Sequence, residues 1–191
     1  MATVPAPHSF TSGEVVTAAN LNASGYTPAL WALGLSGGAK PHFVGYQTVQ
    51  QTGLSTSGAT AVTLDTEAAD TDNGHSTTTN TARYTANTAG WYEVHGTCGV
   101  SPVTSGDWVD GMITVNGVTG LGGGSSGGIF FVDRSFSAGS LLNYLSVSGE
   151  VYLNVGDYVE LAVFPQGGTS LVTDITNRCY PRLTVRWVSA T

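Results

Sequence analysis

Charged residues are scarce in this chain. Only 10% of its 191 residues are Asp, Glu, Lys or Arg, where roughly 25% is usual for a soluble domain. Lysine occurs once, at Lys40, beside five arginines, against 13 acidic residues and a net charge of −7. Binding a phosphate backbone needs a clustered basic surface, and so few basic residues are expected to assemble none, so no nucleic-acid partner is predicted. Nowhere do about 18 apolar residues run together, so no membrane insertion is expected. Residues 1–20 lack the basic start and apolar stretch of a leader, which leaves export by the usual route unsupported. The two cysteines, Cys98 and Cys179, fit neither a metal-ligand spacing nor a redox motif. Helix-forming runs of Ala, Glu, Lys and Leu are missing as well.

What is present is Gly, Thr, Ser and Asn over a 41% hydrophobic content, enough apolar residue to exclude a wholly disordered chain. The length fits about one domain with a modest extra segment. Residues 1–40 read as that segment. Pro5, Pro7 and Pro28 interrupt it, Thr17 is a candidate N-cap for a short helix within 15–21, and Ser36-Gly37-Gly38-Ala39 reads as a linker. An arm this small cannot bury Phe10, Leu21, Leu30, Trp31 and Leu33 against itself. Those residues are expected to dock on the arm's own domain, on sister subunits, or on another protein.

Residues 41–191 read as an all-β domain. Tyr92, Val94 and Cys98 alternate with Glu93, His95 and Thr97; Val159, Leu161 and Val163 fall opposite Glu160; Leu183, Val185 and Trp187 alternate with Thr184 and Arg186. Further strands are expected near 43–50, 60–64, 82–86, 108–115, 129–136 and 141–153. Turn signals at Ala89-Gly90, Asn116-Gly117, Asn154 to Asp157 and Gly167-Gly168 separate them. Eight to ten short strands without intervening helices predict an antiparallel sandwich or jelly roll. Gly120 to Gly128 is of low complexity and reads as a surface loop.

Enzymatic chemistry finds little footing. Gly-x-Ser-x-Gly occurs around Ser36 and Ser125, but neither has the strand before and helix after that a nucleophile elbow requires. His8, His42, His75 and His95 share no zinc spacing. No carboxylate pair can be assigned to glycoside cleavage. The chain is therefore read as a non-enzyme without a catalytic residue.

Two stretches carry a resemblance. Asn80 to Val94, with Tyr84-Thr85 and Gly90-Trp91-Tyr92, and Val147 to Leu161, with Gly156-Asp157-Tyr158-Val159, resemble the globular-head family of complement and tumour-necrosis factor. Leu183 to Val188 is similar to that family's closing strand. The resemblance implies a ten-strand jelly roll assembled as a trimer about a threefold axis. Tyr144, Tyr152, Tyr158 and Phe164 are then candidate trimer contacts, with core packing as the alternative. It also places the strand ending near Cys98 antiparallel to the strand starting near Pro181, which leaves either two buried thiols or a Cys98–Cys179 bridge. Some family members bind calcium, so Asp65, Asp70 and Asp72 are kept as calcium candidates. The loop Asp70-Thr71-Asp72-Asn73-Gly74 departs from a helix-loop-helix calcium loop, with Gly one position early and Thr81 at the twelfth place, and otherwise reads as a solvated acidic loop.

Phe10 to Asn22 resembles the opening of small virion proteins of tailed bacteriophages, and the acidic stretch from Asp65 to Asn80 is similar to the phage branch of the globular-head family. Together these imply a virion surface protein whose arm docks on major capsid or tail proteins. It would serve either as a trimeric capsid decoration protein or as a tail fibre whose head binds a host receptor or glycan. Trp108, in the loop 103–110, is the candidate sugar-stacking residue, with a place in the core as the alternative.

Overall fold

The computed structural model describes residues 40–103, 105–117, 128–136 (backbone alone for 128–132), 142–176 and 180–190, together with Ser12, Thr17 and Ala19. Eleven strands follow in chain order: β1 His42–Tyr46, β2 Thr60–Ala61, β3 Thr66–Asp70, β4 Arg83–Thr85, β5 Gly90–Ser101, β6 Trp108–Val115, β7 Gly128–Phe136, β8 Asn143–Leu153, β9 Tyr158–Pro165, β10 Val172–Thr173 and β11 Arg182–Ser189. They form two antiparallel sheets. In the first, β5 pairs with β8 on one side and β11 on the other, β11 continues to β1 and β3, and β10 pairs with the far end of β5. In the second the order is β2-β9-β6-β7, with β4 also on β9.

The core lies between the sheets and is set by alternation. Along β5, Tyr92, Val94, Gly96 and Cys98 point inward while Trp91, Glu93, His95 and Thr97 point out, as the period-two pattern predicts. Phe43 stacks on Tyr84, and Tyr92 packs tilted against Tyr84, with ring centroids 5.4 and 6.1 Å apart. Each of these fully buried rings contributes about 1.5–3 kcal/mol relative to an exposed one. Gly96 lets the sheets approach: a Cβ there would stand 2.7 Å from Leu161 Cδ1 and 3.1 Å from Ile113 Cδ1.

The sheets differ in their outer faces. β8 alternates buried and exposed over most of its length, so the first sheet has one open side. In β6 and β9 nearly every position is buried, and Met112, Ala162 and Phe164 form a second apolar cluster on the outer side, with Ala59 against it.

β3 and β10 were not anticipated. Thr66-Glu67-Ala68-Ala69-Asp70 is poor strand sequence, and it is held by its pairing with β1 at one edge of the sheet. The Gly-Asp turn occurs where expected. Asp157 accepts hydrogen bonds from the Asn154 backbone and side-chain N–H groups at 2.8 and 3.0 Å, and from Asn116 Nδ2 at 2.8 Å, which ties the end of β6 to the β8–β9 turn. Asn116 first, then Asn154, holds the Asp157 carboxyl below its ordinary range.

Candidate interaction surface

The open face of the first sheet is built by register. Cross-strand rows run His42–Arg186–Glu93–Glu150, Val44–Thr184–His95–Ser148 and Tyr46–Arg182–Thr97–Ser146. A fourth row sets Trp91 opposite Tyr152, both 41% exposed, with ring centroids 5.8 Å apart and planes at 76°. Tyr144, at the other end of β8, is 44% exposed, and Val188 adds an exposed apolar side chain on β11. The face is thus polar and charged in its middle, with aromatic side chains toward its ends.

Of the three tyrosines and one phenylalanine singled out in the sequence, Tyr144 and Tyr152 share this face. Tyr158 and Phe164 do not, because β9 belongs to the second sheet. The Arg83 guanidinium lies 4.5 Å from the Tyr158 ring centroid, and Phe164 is buried in the second apolar cluster. Alternation assigns a side to each residue but not a sheet to each strand.

A pocket opens on the same face. Lys40, His42, His95, Arg182 and Arg186 line it with Glu93. Three of the six Lys and Arg residues of the chain therefore meet in one place, against the expectation that no basic cluster could be assembled. Their separation along the chain hid the cluster, although Arg182 and Arg186 four apart on one strand were a readable sign.

The second sheet has an aromatic end. Trp108, half-buried at the start of β6, lies opposite Phe136 of β7, with ring centroids 6.1 Å apart. Phe136 is 67% exposed. Arg134 stacks 5.0 Å from the Trp108 ring centroid and grips the buried Asp110 with two hydrogen bonds of 2.6 and 2.8 Å. That hydrogen-bonded carboxylate raises the Arg134 pKa.

The three calcium candidates have separate structural duties. Asp65 accepts from the Thr48 N–H and hydroxyl, the Val49 N–H and the Thr66 hydroxyl. Burial opposes its charge, but these donors outweigh it and lower its pKa. Asp70 accepts from the Gly74 and His75 N–H groups at 3.1 and 2.9 Å. Asp72 is buried at 4% exposure and accepts from Tyr84, so the 70–74 loop is not simply solvated. Among the described residues no group of three or more His, Cys, Asp or Glu side chains is placed to hold a metal ion. Cys98 is buried and, as expected, lies where β5 runs antiparallel to β11, next to Thr97 opposite Arg182. Cys179, Ser36, Ser125 and the arm residues Phe10, Leu21, Leu30, Trp31 and Leu33 lie outside the described residues, and of the short helix expected within 15–21 the structure describes Thr17 and Ala19 alone, Ala19 as helix.

No family model and no curated protein matches the chain. Solved structures do. Murine APRIL at pH 5.0 superposes with a TM-score of 0.55 at 10% identity, covering 77% of this chain and 98% of that one. The globular domain of zebrafish complement 1qA gives 0.51 at 17% identity, covering 80% of this chain and all of that one. Identities this low carry the fold alone: the domain is a jelly-roll sandwich similar to these two globular heads.

Proposed function

We propose that the chain is a non-enzymatic bacteriophage virion surface protein, a trimeric capsid decoration protein in which residues 1–40 anchor a jelly-roll head of residues 41–191. The observation that carries this reading is the open face of the first sheet. It leaves Trp91, Tyr144, Tyr152 and Val188 exposed on a single layer, and contact with further copies of the chain would bury them. The trimer follows the resemblance to the globular-head family, and the virion placement follows the resemblance of Phe10 to Asn22 to phage virion proteins. Three arms on one trimer would multiply a weak contact with major capsid proteins into avidity. No cofactor enters the reading.

Immunogold electron microscopy of purified phage particles, with antibody raised against residues 41–191, tests it. Gold over the capsids is expected. Gold confined to tails would replace decoration with a tail-fibre role, and unlabelled particles would remove the virion assignment. The exposed Phe136 beside Trp108 favours a second reading, a head that stacks a host glycan on this aromatic end. Glycan-array binding abolished by Trp108→Ala is its expected result, and a blank array at high protein concentration its refutation.

A further inference from the structure

The basic pocket on the open face belongs to a protein that is otherwise acidic. Its fixed charges are Lys40, Arg182 and Arg186 against Glu93, three positive and one negative, or +2 with histidines neutral, in a chain of net charge −7. Arg182 and Arg186 are exposed on β11 and project to the same side. Neither forms an ion pair with a described residue, although Glu93 stands opposite Arg186 in the register. The Thr97 and Thr184 side chains lie beside them and add hydroxyl donors, and the imidazoles of His42 and His95 complete the wall. Lys40 sits 5.3 Å from the Trp187 ring centroid, which holds its ammonium at the pocket edge.

Guanidinium groups favour planar, charge-assisted contact with oxoanions. Along a strand, positions four apart are separated by about 13 Å, so the two arginines suit a ligand with more than one anionic centre better than a single small ion. We propose that this pocket is a binding site for a multiply charged oxoanion ligand, gripped by Arg182 and Arg186 and hydrogen-bonded by Thr97 and Thr184. The site needs only one chain, but it lies on the face through which the chain is proposed to self-associate, so the test includes a titration of the monomeric variant Trp91→Ser combined with Tyr152→Ser.

Isothermal titration of the full chain with inorganic tripolyphosphate in 150 mM NaCl tests the assignment, with the mass of the protein measured in the same samples. Saturable binding is expected, weakened at least tenfold by Arg182→Gln combined with Arg186→Gln and little changed by Arg83→Gln, which removes an arginine of the second sheet. Both pocket substitutions are at exposed positions, and circular dichroism of the variant checks its fold. Absence of binding by the monomeric chain, or equal weakening by Arg83→Gln, would overturn the proposal. A parent chain that is a monomer and binds the probe contradicts self-association alone, whereas a monomeric Trp91→Ser/Tyr152→Ser variant that does not bind contradicts the anion site alone.

Discussion

Tyr84 donates its phenolic proton to the carboxylate of Asp72, with Oδ1 and Oδ2 at 3.1 and 2.9 Å, and both residues are buried. Burial raises the Asp72 pKa to about 6, the Tyr84 hydrogen bond works against that rise, and the charge of Asp70 adds to it. Burial also pushes the Tyr84 hydroxyl well above its ordinary range, so it remains protonated and donating. The pair fastens the loop after β3 to β4.

A raised carboxyl pKa means that the folded protein binds a proton more tightly than the unfolded chain. Stability from this group is fully present below about pH 3.8 and is lost as pH rises through about 6. Asp72→Asn removes the titration while keeping an acceptor for Tyr84. Relative to the parent protein, this variant should gain on the order of 2 kcal/mol between pH 4 and pH 7. Urea unfolding at both pH values measures the difference, and a gap that does not change with pH sinks the assignment.

Tyr84→Phe leaves the Asp72 carboxylate without its side-chain donor. A loss of about 1–3 kcal/mol is expected at pH 7. It should shrink toward pH 4, where Asp72 is protonated. A loss that is the same at pH 4 and pH 7 would show that Tyr84 acts through packing rather than through this hydrogen bond.

Gly90 opens β5 with φ at +150°, and a Cβ there would stand 2.4 Å from both Ser189 O and Trp187 Nε1. The backbone oxygen cannot swing aside as a side chain can. Gly90→Ala should therefore destabilise by about 1–3 kcal/mol or more, read as a lower thermal midpoint. Gly156→Ala, strained by its φ of +93° but with nothing within 4 Å of the added Cβ, should cost less. The reverse order would contradict the close approach of β11 to β5.

Asp157→Ala removes three hydrogen-bond acceptances at the β8–β9 turn, and a loss of about 1–3 kcal/mol is expected at pH 7. The lowered pKa of Asp157 means that its contribution is present above the ordinary carboxyl range and is lost as pH falls through its folded value. The effect of the substitution should therefore fade in strong acid. A variant as stable as the parent at pH 7 would show that the Asn116 and Asn154 contacts do not support the turn.

Much of the sandwich was legible in the sequence, and the reason is local. In β5, β9 and β11 the alternation of Tyr92, Leu161 and Val185 with polar neighbours marks the core side directly. β3 was not legible, because Glu67, Ala68 and Ala69 favour other conformations and only the pairing with β1 makes them a strand. The interaction surface was half legible. Tyr144 and Tyr152 could be named as exposed aromatics, but separating them from Tyr158 and Phe164 requires knowing that β8 and β9 join different sheets, a matter of long-range pairing. Asp72 looked like part of a polar loop because Tyr84, which covers it, comes 12 residues later.

Self-association through the open face of the first sheet is the central claim, and the mass of the full chain in solution tests it most directly. Sedimentation equilibrium should give about 59 kDa, three times the 19.6 kDa chain, and Trp91→Ser combined with Tyr152→Ser should shift it toward the single-chain mass. A parent protein that remains at 19.6 kDa across the concentration range would contradict the account.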